Sequence, residues 1–210
     1  RMSSAYDPAA ARVDPENRLH WRFDLRRLEA EEVRDALLAV SGTLDTTMGG
    51  SILPLKNREY VFDHTSKDNT RYESRRRSVY VPVIRNHLYD VFQLFDFGDG
   101  AIADGNRPTT TVAPQALFML NSDLVQDCAA SLASGILAHT DLDTAGRLRL
   151  LYRKAYGRPP SAAELKRMEG LLARFTAAEG EQPDPAKRTQ TAWTWLCHTT
   201  LAANEFIFVR

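Results

Sequence analysis

The sequence predicts a mainly α fold, a C-terminal antiparallel helical bundle with a small two-stranded β element in the N-terminal half. Three observations predict it. From Pro114 onward apolar residues recur at steps of three or four, the helical period. The helical stretches are separated by short, Gly- and Pro-marked connections, which make sequential neighbours antiparallel. Upstream, two short runs rich in β-branched and aromatic residues read as strands.

Residues 1–20 are polar, contain Pro8 and Pro15, and read as an extended lead-in or the tail of a preceding element. Leu28 to Gly42 follows as a helix. Val33, Ala36, Leu37 and Val40 fall at helical spacing, acids fill the first turn, and Gly42 suits the C-terminal cap. Thr43 to Pro54, with Gly49-Gly50, is a loop. Glu59 to His64 and Ser78 to Ile84 are the strand candidates, expected to pair as a hairpin. Pro82 has no N–H to donate, so the second strand lies at an edge or ends there.

After Asn86 the period changes. Leu88, Val91, Phe92 and Phe95 mark one face of a short helix, and Asp99 to Thr111 is a loop. Pro114 suits a first helical turn. Leu117, Leu120, Leu124, Cys128, Leu132 and Ile136 then read as one inward face, with a break expected at Asn121-Ser122. A helix from Asp143 to Ala155 ends at Gly157, Pro159 and Pro160. Ser161 and Glu164 form an S-x-x-E capping box that opens the next helix. The last helix covers Ala186 to Ala203, and the apolar tail Phe206-Ile207-Phe208-Val209 is expected to dock on the core.

The 210 residues suit a single domain, 1–210, and the start on Arg1 suggests a fragment of a larger protein. The 27 basic and 27 acidic residues cancel, which argues against nucleic acid or an anionic membrane surface as partner. No apolar run reaches membrane-spanning length. Cys128 and Cys197 fall in different helices and read as buried thiols, with a disulfide as the alternative.

The G-x-S-x-G elbow, the P-loop, H-E-x-x-H and C-x-x-C-H are not in the sequence, and no two histidines sit three or four apart. No metal ligand set and no cofactor is assigned to this chain. The segment from Phe95 to Thr111 is the most suggestive for a site. Asp96, Asp99 and Asp104 are candidates to converge on a hard cation, or the segment holds an organic ligand. The plainer reading is that its Asp and Gly residues make turns and caps.

Arg85, Asn86 and Arg107 flank the segment. An arginine fork suits a substrate carboxylate or sulfate, although an internal pair with Asp96 or Asp99 is favoured. Gln115 and Asn121 are amides near the start of the long helix, fitted to cap backbone or to orient a ligand. Arg85, Asn86, Asp96, Asp99, Arg107 and Gln115 are therefore the candidate ligand-binding set, and no catalytic residue is assigned. Trp195 lies off the main apolar face and is the one candidate for stacking on a sugar.

Several blocks carry a family resemblance in order along the chain: Asn17–Gly50, RRSVYVPVIRN (Arg76–Asn86), LFDFGD (Leu94–Asp99), TTTVAPQALFMLNS (Thr109–Ser122), LYRKAYGRPPSAAEL (Leu151–Leu165) and WTWLCHTTLAANEFIFV (Trp193–Val209). Together they resemble the planctomycete-type domain of unknown function 1553. The resemblance implies the C-terminal domain of a large exported protein, often with a cytochrome-c-like domain upstream, and hence a periplasmic or cell-surface location. Its implied partner is the preceding domain of the same protein, and it carries over no catalytic residue. Gly98 departs from the pattern, where proline is expected, and so loosens the loop before Asp99.

Two functions follow as expectations. One is a non-catalytic helical interaction and assembly module of an exported cytochrome-c-containing protein. The other is a carbohydrate-related enzyme or ligand-binding domain coupled to the upstream haem domain, with its site in residues 85–107.

Overall fold

The structure, a computed structural model, describes residues 4–50, 52, 72–84, 87–98, 107–180 and 184–209. It is mainly helical, with one small antiparallel sheet of two strands among the described residues.

The lead-in is not extended. Asp7 accepts from the amides of Ala9 and Ala10 and caps α1 (Pro8–Val13), with Pro8 in its first turn. The chain then folds back on Asp14, whose carboxylate accepts from the amides of Arg18 and Leu19. Trp21 donates its indole N–H to the Asp14 carbonyl at 2.9 Å. These short-range bonds satisfy a polar segment that has few apolar residues to bury.

Next come strand β1 (Arg26–Arg27) and helix α2 (Ala30–Ser41). The Glu29 amide donates to the Glu32 carboxylate at 2.9 Å, and Gly42 closes the helix at φ 76°, a conformation that favours glycine. Val33, Leu37 and Leu38 are fully buried. So is Arg34, at 1% exposure, on the same face.

Arg34 explains why Ser78–Ile84 is not a strand. Its guanidinium donates to the carbonyls of Ser74 and Arg76, the latter at 2.7 Å. The neighbouring Asp35 accepts from the Ser78 amide at 2.8 Å and from its hydroxyl at 2.6 Å. The α2 side chains thus hold the backbone at Ser74, Arg76 and Ser78, at the entry to the segment. Ser78–Tyr80 forms a single 3-10 turn and the chain runs on without strand pairing. The other expected strand, 59–64, lies outside the described residues.

The sheet comes from segments without a strand signal. β1 pairs antiparallel with β2 (Phe208–Val209), Arg26 opposite Val209 and Arg27 opposite Phe208. The Leu28 amide donates to the Ile207 carbonyl at 2.7 Å. Phe206, in the short helix α9 (Asn204–Ile207), is buried. The apolar tail is thus docked by one buried ring and a two-residue ladder.

Helix α3 (Asp90–Leu94) leads to α4 (Ala113–Asn121) and α5 (Asp123–Leu137). The break falls at Ser122, as its sequence suggests, and Ser122 is extended at φ −70°, ψ 134°. Its side chain makes no capping bond. The extended residue also rephases the apolar face. Val125, Cys128, Leu132 and Ile136 of α5 are buried, whereas Leu117 and Leu120 of α4 are exposed. α4 turns Gln115 and Met119 inward instead.

The C-terminal helices are α6 (Thr144–Tyr156), α7 (Ala162–Ala178) and α8 (Pro185–Leu201). Asp143, Ser161 and Asp184 cap their N-termini, and Gly157 closes α6 at φ 68°. The capping box is formed in both directions: the Ser161 amide donates to Glu164, and the Glu164 amide to Ser161 Oγ. The most extensive packing is between α5 and α8. Leu196, Cys197 and Leu201 of α8 meet the α5 face in one core that extends through α2, α3 and α6.

Candidate functional site

Asp96 follows α3 at φ 60°, a left-handed conformation that Asp tolerates better than most residues. The turn aims its carboxylate at β1. Arg27 Nη2 donates to Asp96 Oδ2 at 2.6 Å, with the Arg27 side chain 2% exposed and Asp96 15%. The Thr110 amide donates to the same oxygen at 2.8 Å, and its hydroxyl donates to the carboxylate at 2.9 Å. The Arg27 guanidinium also lies over the Phe95 ring, 5.4 Å from its centroid.

Gln115 joins this knot. It is buried, and its Nε2 donates to the carbonyls of Leu94 at 3.0 Å and Thr110 at 3.2 Å. Its Oε1 accepts from the Val112 amide at 3.3 Å, which satisfies one orphan donor at the start of α4. Gln115 therefore caps backbone. So does Asn121, whose Nδ2 donates to the Leu117 carbonyl.

Arg107 bonds to acids of α2 and not to Asp96, one of the two internal partners expected from sequence; the other, Asp99, lies outside the described residues. Its Nη1 donates to both oxygens of Glu31, at 2.9 and 2.8 Å, and to Glu29 at 3.2 Å. Its guanidinium lies 4.7 Å from the centroid of Phe97, which stacks on Phe92. The reason is local: the acids favoured by the start of α2 are a closer partner than a carboxylate already filled by Arg27 and Thr110. Gly98, at φ 66°, sits where proline cannot, and a Cβ there would stand 3.8 Å from Arg107 Cγ. Arg85, Asn86 and Asp99 lie outside the described residues, as does Asp104.

Of the sequence candidates, then, Asp96 and Gln115 are brought together through Thr110, and Arg107 is bonded to α2. With both carboxylate oxygens occupied by the fixed donors of Arg27 and Thr110, Asp96 serves as a structural acceptor. Among the described residues no group of three or more His, Cys, Asp or Glu could hold a metal ion.

A second charged cluster escaped the sequence reading. Arg158, just past the end of α6, donates to Glu164 at 2.6 Å and to Glu205 at 2.7 Å. Its guanidinium lies 5.4 Å from the Tyr152 ring centroid. The hydrogen bonds from Arg158, aided by the Ser161 amide, lower the Glu164 carboxyl to about 2. The same bonds, to Glu164 and Glu205, raise Arg158. Burial raises the Tyr156 phenol, which donates to the Thr200 carbonyl. The signal available in sequence was an arginine between a helix stop and a capping box. Arg34 carried a similar signal, a cation among Val33, Leu37 and Leu38 on the core face.

Cys128 and Cys197 are free and buried, and burial raises both thiols. His198 is buried against the Met119 carbonyl at 3.0 Å. Trp195 is 45% exposed, its ring 6.2 Å from that of His198.

One groove, of about 600 Å³, lies between α3, α4 and the first turn of α5. Leu94, Leu117, Phe118 and Leu124 line it, with Asp90 and Asp123 as the only charged lining residues among those described. Neither Asp96 nor Arg107 reaches it. Among the described residues no helix is long and apolar enough to cross a membrane.

No curated protein and no solved structure matches the chain. A family model, described as PSD1, protein of unknown function, matches residues 1–172. That span takes in β1, the Arg27–Asp96–Thr110–Gln115 knot, the groove and most of the bundle, so the chain belongs to this family, DUF1553.

Proposed function

We propose that the chain is a non-catalytic helical interaction and assembly module of an exported, cytochrome-c-containing protein at the periplasm or cell surface, and that it packs against the domain preceding it there. One observation supports the interaction role. The candidate polar side chains that the structure describes, Asp96, Arg107 and Gln115, are bonded internally, while α4 leaves Leu117 and Leu120 exposed. Catalysis needs groups free to exchange protons or bonds with a substrate, whereas an exposed apolar helix face needs a partner. The exported, haem-associated context rests on the family resemblance. No cofactor is proposed for this chain itself, nor is nucleic acid or membrane insertion.

A second reading, a carbohydrate-related or other ligand-binding domain coupled to the haem domain, is favoured by Trp195, whose ring is half exposed. Hydrogen exchange tests the first reading. Amides of residues 113–121 are expected to exchange more slowly in the native protein purified from its cells than in the 210-residue chain alone. Equal exchange in both would overturn it. A melting-temperature rise with a simple sugar, lost on Trp195→Ala, would establish the second.

A further inference from the structure

Helix α4 is apolar around most of its circumference, and such helices are ordinarily enclosed. Here only Gln115 and Met119 are buried, while Ala113, Pro114, Ala116, Leu117 and Leu120 are exposed. The exposed face is continuous with the groove beside it, since Pro114 and Leu117 belong to both. The groove's charge is one-sided. Among the described residues Asp90 and Asp123 line it and no cation does. Both carboxylates are exposed, and neither has an ion pair or hydrogen bond to its side chain among the described residues.

We propose that this groove binds an amphipathic helix with large apolar side chains at i, i+3 or i+4, and i+7, flanked by Lys or Arg that meet Asp90 and Asp123. The walls given by the described residues are helices and carry no strand edge, so an added strand would find no ladder to extend, whereas apolar knobs on a helix fit between them. The unpaired carboxylates select the sign of the flanking charges: they attract a basic helix and penalise an acidic one. The proposal rests on the interaction-module reading and adds the chemistry of the occupant.

The test uses two fluorescein-labelled peptides of about 15 residues, long enough to form helix. They share one Leu pattern and carry either Lys or Glu at the flanks. Anisotropy titrations with the 210-residue chain are expected to show the Lys peptide binding at least about tenfold more tightly. Asp90→Asn with Asp123→Asn should remove that preference. Leu117→Asp, an exposed position, should abolish binding while leaving the circular dichroism and melting of the chain unchanged. Equal binding of the two peptides, binding of neither, or binding indifferent to Leu117→Asp would overturn the proposal. If the peptides fail while residues 113–121 still exchange slowly in the native protein, only the occupant is wrong. If exchange there is equally fast in both forms, the interaction-module reading itself is lost.

Discussion

The buried Arg27 and the partly buried Asp96 form an ion pair, Nη2 to Oδ2 at 2.6 Å, that ties β1 to the end of α3 across 69 residues of sequence. Thr110 closes the other side of the carboxylate, so one acidic side chain gathers three separate segments. Arg27 Nε and Nη1 are buried without a hydrogen-bond partner, over the Phe95 ring. The pair is therefore only partly compensated for the burial of its charge, which decides how it should respond to mutation.

Removing one partner leaves the other charge stranded. Asp96→Asn keeps a residue that tolerates φ 60° but deletes the charge, and should destabilise the chain by about 3 kcal/mol. Arg27→Met combined with Asp96→Asn removes the stranded cation and should recover most of that loss. Urea denaturation of the two single variants and the double variant measures the coupling. Additive losses would show that Arg27 and Asp96 do not act as a pair.

Helix boundaries were legible because they are written locally. Gly42, Gly157, Asp143 and the Ser161–Glu164 box each act within one turn, and each does so in the structure. Sheet pairing was not legible, because β1 has two residues and its partner is at Phe208–Val209. The residues 78–84 have strand composition, but Arg34 and Asp35 hold the chain at Ser74, Arg76 and Ser78, where it enters the segment, and Ser78–Tyr80 turns as a 3-10 helix. The same division runs through the candidate site. Polar residues between 85 and 115 could be singled out by type, and Gln115 as a cap follows from its position three residues after Val112. The partners Arg27 and Glu31 lie 69 and 76 residues away from Asp96 and Arg107, beyond any local pattern.

The rephasing at Ser122 gives a sharp contrast within one helix. Met119, 1% exposed, should cost about 2–5 kcal/mol when changed to Ala, through lost burial and the cavity left behind. Leu117→Ala and Leu120→Ala, both at exposed positions, should each change stability by no more than about 0.5 kcal/mol. Equilibrium unfolding of the three variants checks this. A large loss at Leu117 would mean that α4 is packed the other way round.

Cys128 and Cys197 should be chemically silent in the folded chain. Burial raises both thiols and shields them from reagent, so little thiolate forms and little of it is accessible. With iodoacetamide at about pH 8, labelling of the native chain should be limited by opening of the core, and both thiols should react at once in urea. Rapid native labelling at either position, read by mass spectrometry, would contradict the α5–α8 packing.

Glu164 sets an acid limit on the link from α6 to α7. Its folded value, about 2, lies below the ordinary 4.5, so the folded state binds its proton less readily than the unfolded chain does. Its stabilising contribution is therefore complete above about pH 5 and is lost as the pH falls through about 2. Glu164→Gln isolates the charge, because glutamine retains the side-chain oxygen that accepts from the Ser161 amide in a capping box. Urea midpoints measured from pH 6 down to pH 2 should fall more steeply for the native sequence than for Glu164→Gln, the two converging at the acid end. Parallel curves would mean that the Arg158–Glu164 contact at 2.6 Å contributes nothing dependent on charge. Arg158→Met should flatten the native curve in the same way, since Arg158 is the largest cause of the lowered value.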